Sequence, residues 1–137
     1  MKKVLVIDGQ GGLLGKQMVA AVKKLIPEAE ITAVGTNTMA TTAMLKAGAT
    51  NGATGENAAI VGARRADIIV GPVGIVIADS LLGEITPDMA KAIGQSEAIK
   101  ILLPVNKCNN IIIGTGDKST SELIQEAIEK IKEISRS

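Results

Sequence analysis

The stretch that decides the fold is Val4-Leu5-Val6-Ile7-Asp8-Gly9-Gln10-Gly11-Gly12-Leu13-Leu14-Gly15-Lys16. Its apolar run, Val4 to Ile7, ends at Asp8-Gly9, which is typical of a buried first strand. Behind the glycines, apolar residues recur at helical spacing until Pro27 ends the pattern; they are Leu14, Met18, Val22 and Leu25. The stretch therefore predicts a strand, a glycine-rich turn and a helix in succession.

Strands and helices alternate along the rest of the chain. Strands are predicted at residues 31–34, 68–70 and 101–103, with a weak edge strand at 49–54. Helices are predicted after Thr36-Asn37-Thr38, at 56–62, after Thr86-Pro87, and from the capping box Ser119-Thr120-Ser121-Glu122 onward. The apolar segment 75–82 indicates a buried or interface helix.

This alternation predicts one α/β domain over residues 1–137, with a Rossmann-like, doubly wound, mainly parallel sheet. The connection Asn106-Lys107-Cys108-Asn109 is too short for a crossover. We therefore expect Ile111 to Ile113 to return antiparallel, as an edge hairpin on the C-terminal side.

Composition narrows the function. The chain has 137 residues, no Phe, Tyr or Trp, no His, and a single Cys. Aliphatic side chains must fill the core, and no aromatic ring is present to stack a nucleic-acid base. The 15 basic and 14 acidic residues leave no charge surplus for a phosphate backbone. We expect no nucleic-acid partner, no metal site, no signal peptide or membrane span, and a cytoplasmic location.

The glycine-rich turn is the first candidate site, and its candidate residues are Gly9, Gln10, Gly11, Gly12, Gly15 and Lys16. Glycines let the backbone approach a ligand, and the helix start offers N–H groups that attract phosphate or carboxylate. The spacing is related to the dinucleotide fingerprint without matching it. It is not a Walker A loop, because Gln10 and Gln17 stand at two required positions. The alternative is that these glycines only allow tight packing.

Two further turns are predicted near the first. Thr36, Asn37 and Thr38 follow the second strand, where NAD enzymes usually carry an acidic residue for ribose. They indicate either a phosphate contact or a plain helix cap. The turn Gly71-Pro72-Val73-Gly74 ends the strand that lies beside the first in the usual 3-2-1-4 order. The two glycine turns should then face each other at the switch point.

Candidate chemical groups are few. Asp8 is expected either to accept N–H bonds from the glycine turn or to help bind magnesium. Asp79, inside an apolar segment, should be paired, hydrogen-bonded or ligand-facing. Cys108 is interpreted as a small turn residue, because no His is present to activate its thiol. Any catalysis would fall to Asp8, Asp79, Glu84, Lys16 or Cys108, which form no recognised motif, so the sequence leaves enzymatic activity open.

Several motifs together resemble one family; they are Ile7 to Gly12, Ala33 to Asn37, Gly52 to Asn57, Gly71 to Ile75, Ala78 to Pro87 and Pro104 to Asn109. The chain resembles a family of small bacterial proteins, found largely in anaerobic Firmicutes and known only as a domain of unknown function. The resemblance implies a Rossmann-like fold and no established activity. The family's first loop usually has a third consecutive glycine, where this chain has Leu13.

Two functions remain open at this point. The first is binding of a nucleotide, a dinucleotide such as NAD(P), or another phosphate-bearing small molecule at the first turn. The second is a non-catalytic homo-oligomeric module, most simply a dimer, that uses the segment 75–82 as its interface. The two are compatible, and neither fixes the identity of a cofactor.

Overall fold

The computed structural model describes residues 2–105 and 109–136. The strands are β1 (Lys3–Asp8), β2 (Glu30–Gly35), β3 (Asn51–Thr54), β4 (Ile68–Pro72) and β5 (Ile99–Leu103). The α-helices are α1 (Leu13–Leu25), α2 (Thr38–Lys46), α3 (Glu56–Arg65), α4 (Pro87–Gln95) and α5 (Thr120–Ser135). A short 3₁₀-helix, Val73–Val76, follows β4 directly.

All five described strands form one parallel sheet in the order β3-β2-β1-β4-β5. Asp8 is in register with Gly35 of β2, and Val6 with Val70 of β4. Because parallel strands are joined by crossovers, their carboxyl ends lie at one edge of the sheet. The predicted Rossmann-like sheet is confirmed, and β1 lies at its centre, so the glycine-rich turn leaves from the middle of that edge.

The core has two layers, one on each face of the sheet, and β1 is buried by both. Val4 and Val6 pack with α1 and α5 on one face, whereas Leu5 and Ile7 pack with α3 and α4 on the other. Aliphatic residues fill both layers, as expected for parallel strands covered on each side.

The predicted edge hairpin is wrong. Residues 111–113 form no strand, and the side chains of Ile111 and Ile113 are 87% and 89% exposed. A three-residue apolar run with no partner to bury it cannot offset the loss of backbone freedom. The chain instead passes from β5 to α5 through turns with positive φ at Gly114 and Gly116. Asn106, Lys107 and Cys108 lie outside the described residues.

The predicted helix at 75–82 is also wrong. Only Val73–Val76 is helical, and the chain then turns, with φ of 67° at Asp79, 56° at Leu81 and 57° at Leu82. Positive φ is incompatible with a right-handed helix. Leu81 is nevertheless buried in the core, and Asp79 is exposed, so its carboxylate avoids the burial that the sequence pattern predicts.

Candidate functional site: the glycine loop and its two flanks

The glycine loop, residues 9–12, connects β1 to α1 at the carboxyl edge of the sheet. It is a tight turn, because the Gly12 N–H donates to the Gly9 carbonyl at 2.9 Å. The Gly12 carbonyl in turn accepts the first α1 bond, from the Lys16 N–H at 2.9 Å. The loop thus has a defined backbone shape before any ligand is considered.

Asp8 supports the loop from below. Its Oδ1 accepts the Gly9 N–H at 2.8 Å and its Oδ2 accepts the Gly15 N–H at 2.7 Å. Burial raises the pKa of Asp8 above its ordinary value, while the N–H donors of Gly15 and Gly9 act in the opposite direction and the nearby Glu84 charge adds to the rise. Of the two roles predicted for Asp8, this geometry matches the acceptance of N–H bonds from the glycine turn. Among residues 2–105 and 109–136, no group of three or more His, Cys, Asp or Glu side chains could hold a metal ion.

One side of the loop, which we call the closed flank, consists of Gln10, Thr36, Asn37 and Glu84. The Glu84 Oε1 accepts the Gln10 N–H at 2.6 Å and the Thr36 hydroxyl at 2.9 Å. Its Oε2 accepts the Asn37 Nδ2–H at 3.0 Å, and the same amide donates to the Gln10 carbonyl at 2.9 Å. Desolvation alone would raise the pKa of Glu84, but the bonds from Gln10, Asn37 and Thr36 together hold that pKa below its ordinary value.

Two glycines of the loop are required by packing within the chain, Gly9 against the closed flank and Gly12 against α2. A Cβ on Gly9 would lie 2.6 Å from both the Glu84 Oε1 and the Thr36 Oγ1. Gly12 has φ of 74°, and a Cβ there would lie 2.7 Å from the Ala40 Cα in α2. The packing alternative therefore explains both glycines without any ligand.

The other side, which we call the open flank, consists of Gly11, Leu13, Leu14, Val105 and Thr120. These residues border a cavity of about 300 Å³, together with Asp8, Gly9, Gln10, Gly12 and Gln17. Within the described residues, no acceptor meets the N–H groups of Gly11, Leu13 and Leu14. A Cβ built on Gly11 would meet nothing within 4 Å.

The start of α1 differs from that of most other helices. Its N-cap residue is Gly12, and no described side chain caps it. Asn37 caps α2 by accepting the Ala40 N–H at 2.9 Å, Thr86 caps α4, and Ser119 forms a full capping box on α5. Among the described α-helices, only α3, which begins after Gly55, shares the missing side-chain cap. Within the described residues, the uncapped start of α1 follows from its glycine N-cap, which has no side chain to accept an N–H bond.

Other predicted site residues lie elsewhere. Lys16 and Thr38 border a separate groove of about 430 Å³ with Met39, Thr42, Ala43 and Lys46. The segment 71–74 comprises the last two residues of β4 and the first two of the 3₁₀-helix, and none of its residues is among the described residues that border the loop cavity. A Cβ on Gly71 would lie 2.5 Å from the Ile7 carbonyl oxygen, so this glycine allows close strand packing.

Sequence reasoning misses two contributions. It indicates Glu84 as a candidate only for catalysis, although Glu84 is the hydrogen-bond acceptor at the centre of the closed flank. One signal for this role is available in the sequence. No acidic residue follows β2, so the donors of Thr36 and Asn37 need an acceptor from elsewhere in the chain. Val105 and Thr120 belong to the open flank, and the sequence motifs that contain them do not indicate a binding site.

Residues 3–136 match the family model described as Domain of unknown function (DUF3842). The chain belongs to this family. No curated protein matches it. A similar solved structure is the dodecameric FMN-dependent UbiX-like decarboxylase from Escherichia coli O157:H7, at 14% identity and a TM-score of 0.45, covering 97% of this chain and 92% of that chain. In the described part of the chain, no helix is both long and apolar enough to cross a membrane.

Proposed function

We propose that the open flank binds a phosphate-bearing small molecule, with nucleotides and dinucleotides as the leading candidates. The observation that carries this proposal is the set of N–H groups of Gly11, Leu13 and Leu14, which have no acceptor among the described residues. Such groups at a helix start are complementary to a phosphate, and the helix dipole adds to the attraction.

The cavity supports a ligand of modest size. Its volume of about 300 Å³ is at the lower end of the roughly 300–1,000 Å³ usual for small-molecule sites. None of its described bordering residues is a lysine or arginine. Among the described residues, backbone N–H groups would therefore recognise the phosphate, and Leu13, 66% exposed, supplies aliphatic surface for the rest of the ligand.

Asp8 does not oppose this binding strongly. Both of its carboxylate oxygens accept backbone N–H bonds, and its side chain lies beneath the loop at 3% exposure. Burial raises the pKa of Asp8 above its ordinary value, while the N–H donors of Gly15 and Gly9 act against that rise and face its two oxygens. A phosphate above the loop would therefore experience little repulsion from it.

The decisive experiment introduces a negative charge on the open flank. Gly11→Asp should abolish the chemical-shift changes that inorganic phosphate, ADP or NAD causes at the amides of Leu13 and Leu14. Gly94→Asp is the matched control, because Gly94 lies on α4 and a Cβ added there would likewise meet no atom within 4 Å. If wild-type Leu13 and Leu14 amides do not respond to any of the three probes, the proposal is wrong.

A second candidate function is a homo-oligomeric module. It is favoured by Leu82, which is 95% exposed within the turn after the 3₁₀-helix. Leu82→Lys should convert a dimer to a monomer in light scattering, whereas Gly11→Asp should leave it a dimer. A wild-type protein that is monomeric at high concentration would eliminate this candidate.

A further inference from the structure

The Glu84 carboxylate occupies a set of donors that would suit an external anion. Three donors converge on it, the Gln10 N–H, the Thr36 hydroxyl and the Asn37 side-chain amide, at 2.6 to 3.0 Å. Neither ion pair found among the described residues involves Glu84. Its charge is therefore stabilised by neutral donors, as the charge of a bound phosphate or carboxylate would be.

The surroundings of Gly9 support the comparison of the Glu84 carboxylate with a bound anion. In dinucleotide-binding loops, a glycine lets the backbone approach the pyrophosphate closely. Here the atoms that require the absence of a Cβ at Gly9 are the Glu84 Oε1 and the Thr36 Oγ1, each 2.6 Å from where that Cβ would be. The space made available by Gly9 is thus filled by a carboxylate from the chain itself.

The segment that carries Glu84 is a strained turn on the surface. Leu81 and Leu82 have φ of 56° and 57°, a strained conformation for leucine, and Gly83 has φ of 87°. Leu81 and Ile85 are buried at the two ends of the turn, whereas Leu82 and Gly83 between them are exposed. The N–H groups of Gly83 and Glu84 donate to the carbonyls of Asp79 and Leu81 at 3.1 Å, so release of the carboxylate would proceed by rotation of the Glu84 side chain.

We propose that the closed flank is an anion site whose resident occupant is the Glu84 carboxylate, which a phosphate or carboxylate group of a small molecule displaces. The exchange replaces one anion by another, so the donors of Gln10, Thr36 and Asn37 stay satisfied throughout. Apart from Gln10, the residues of this site do not border the loop cavity, and the site does not depend on binding at the open flank.

The test uses Glu84→Asp, which keeps the charge but is one methylene too short to reach all three donors. Inorganic phosphate and acetate are titrated separately, and the backbone amide of Gln10 and side-chain amide of Asn37 are followed by NMR. In the variant, the apparent affinity of the effective anion should rise about tenfold, because the internal competitor has been withdrawn. The two probes distinguish a phosphate ligand from a carboxylate ligand.

Two further variants make the result interpretable. Glu97→Asp, at an exposed glutamate, should leave the affinity unchanged. Glu84→Gln keeps the side-chain length and a carbonyl acceptor but removes the charge. If Glu84→Gln alone tightens binding, repulsion and not occupancy is responsible, and the proposal is overturned.

The amides also separate this proposal from the proposed function. Responses at Gln10 and Asn37 support the anion site on the closed flank, whatever Gly11, Leu13 and Leu14 do. Responses confined to Gly11, Leu13 and Leu14 support only the open flank and overturn the displacement of Glu84. Silence at Gln10 and Asn37 in both wild type and Glu84→Asp, with both folded, also overturns it.

Discussion

The two flanks of the glycine loop use the same backbone turn in opposite ways. On the closed flank, Glu84 accepts from Gln10, Thr36 and Asn37, so the donors there are satisfied within the chain. On the open flank, the N–H groups of Gly11, Leu13 and Leu14 meet no described acceptor and border a cavity. The glycines of one turn can therefore have different roles, and each must be explained from its own contacts.

The largest expected effect tests whether neighbouring glycines of the loop have different roles. Gly12→Ala should destabilise the protein by about 3 kcal/mol, because it combines a left-handed φ with a clash against α2. Gly11→Ala, one residue earlier, should change stability by less than about 1 kcal/mol, since its Cβ would meet no atom. Chemical denaturation of both variants measures the difference. Equal losses would show that Gly12 is not required for packing against α2.

The next effect concerns the support that both flanks share. Asp8→Asn should destabilise the protein by about 2 kcal/mol, because an amide can accept only one of the two N–H bonds from Gly9 and Gly15. The exposed Asp117 provides the control, and Asp117→Asn should have little effect on the denaturation midpoint. A neutral Asp8→Asn would mean that the carboxylate does not hold the loop.

A smaller effect separates the two helix starts near the open flank. Ser119→Ala removes the capping box of α5 and should destabilise the protein by about 1 kcal/mol. The N–H groups that it frees belong to α5 and not to α1. Phosphate-induced shifts at Leu13 and Leu14 should therefore persist in this variant. Their loss would indicate that α5, through Thr120, contributes more to the site than α1 does.

The smallest effect is a pH dependence that belongs to the closed flank. Because the folded-state pKa of Glu84 is lowered, its contribution to stability is present above the unfolded pKa and is lost as the pH falls through the folded value. The stability difference between wild type and Glu84→Gln should thus be largest near neutral pH and shrink in acid below the ordinary glutamate range. Denaturant titrations at several pH values measure it, and a difference that grows in acid would contradict the assignment.

The sequence predicted the sheet well, because parallel strands buried on both faces leave a strong local pattern. Val4 to Ile7 and Ile68 to Val70 are continuous apolar runs, and the helices between them require right-handed crossovers. The run Ile111 to Ile113 has a similar apolar pattern and led to the wrong prediction of a strand. Such a pattern does not show whether a neighbouring strand is available to pair with it. The turn at Leu81-Leu82 could not be predicted either, because no leucine pattern indicates positive φ.

The candidate site was only partly accessible from sequence. The glycine loop was placed correctly between β1 and α1, because the apolar patterns around it are unambiguous. Which glycines pack and which face open space depends on contacts with residues far along the chain, such as Ala40 for Gly12 and Glu84 for Gly9. Lys16 lies in the first turn of α1, close in sequence to the glycine loop. It nevertheless borders a different groove, because it lies on another side of that helix.

The carboxylate of Asp8 joins the first residue of the turn to Gly15, the third residue of α1, and this has a thermodynamic consequence. The ends of the turn are tied to a single buried side chain of the central strand, so the ordering entropy of this segment is lost during folding. A molecule that docks above it meets a rigid receptor and has little further disorder to remove. Association there should be fast and should leave the amide exchange protection of Gly15 nearly unchanged.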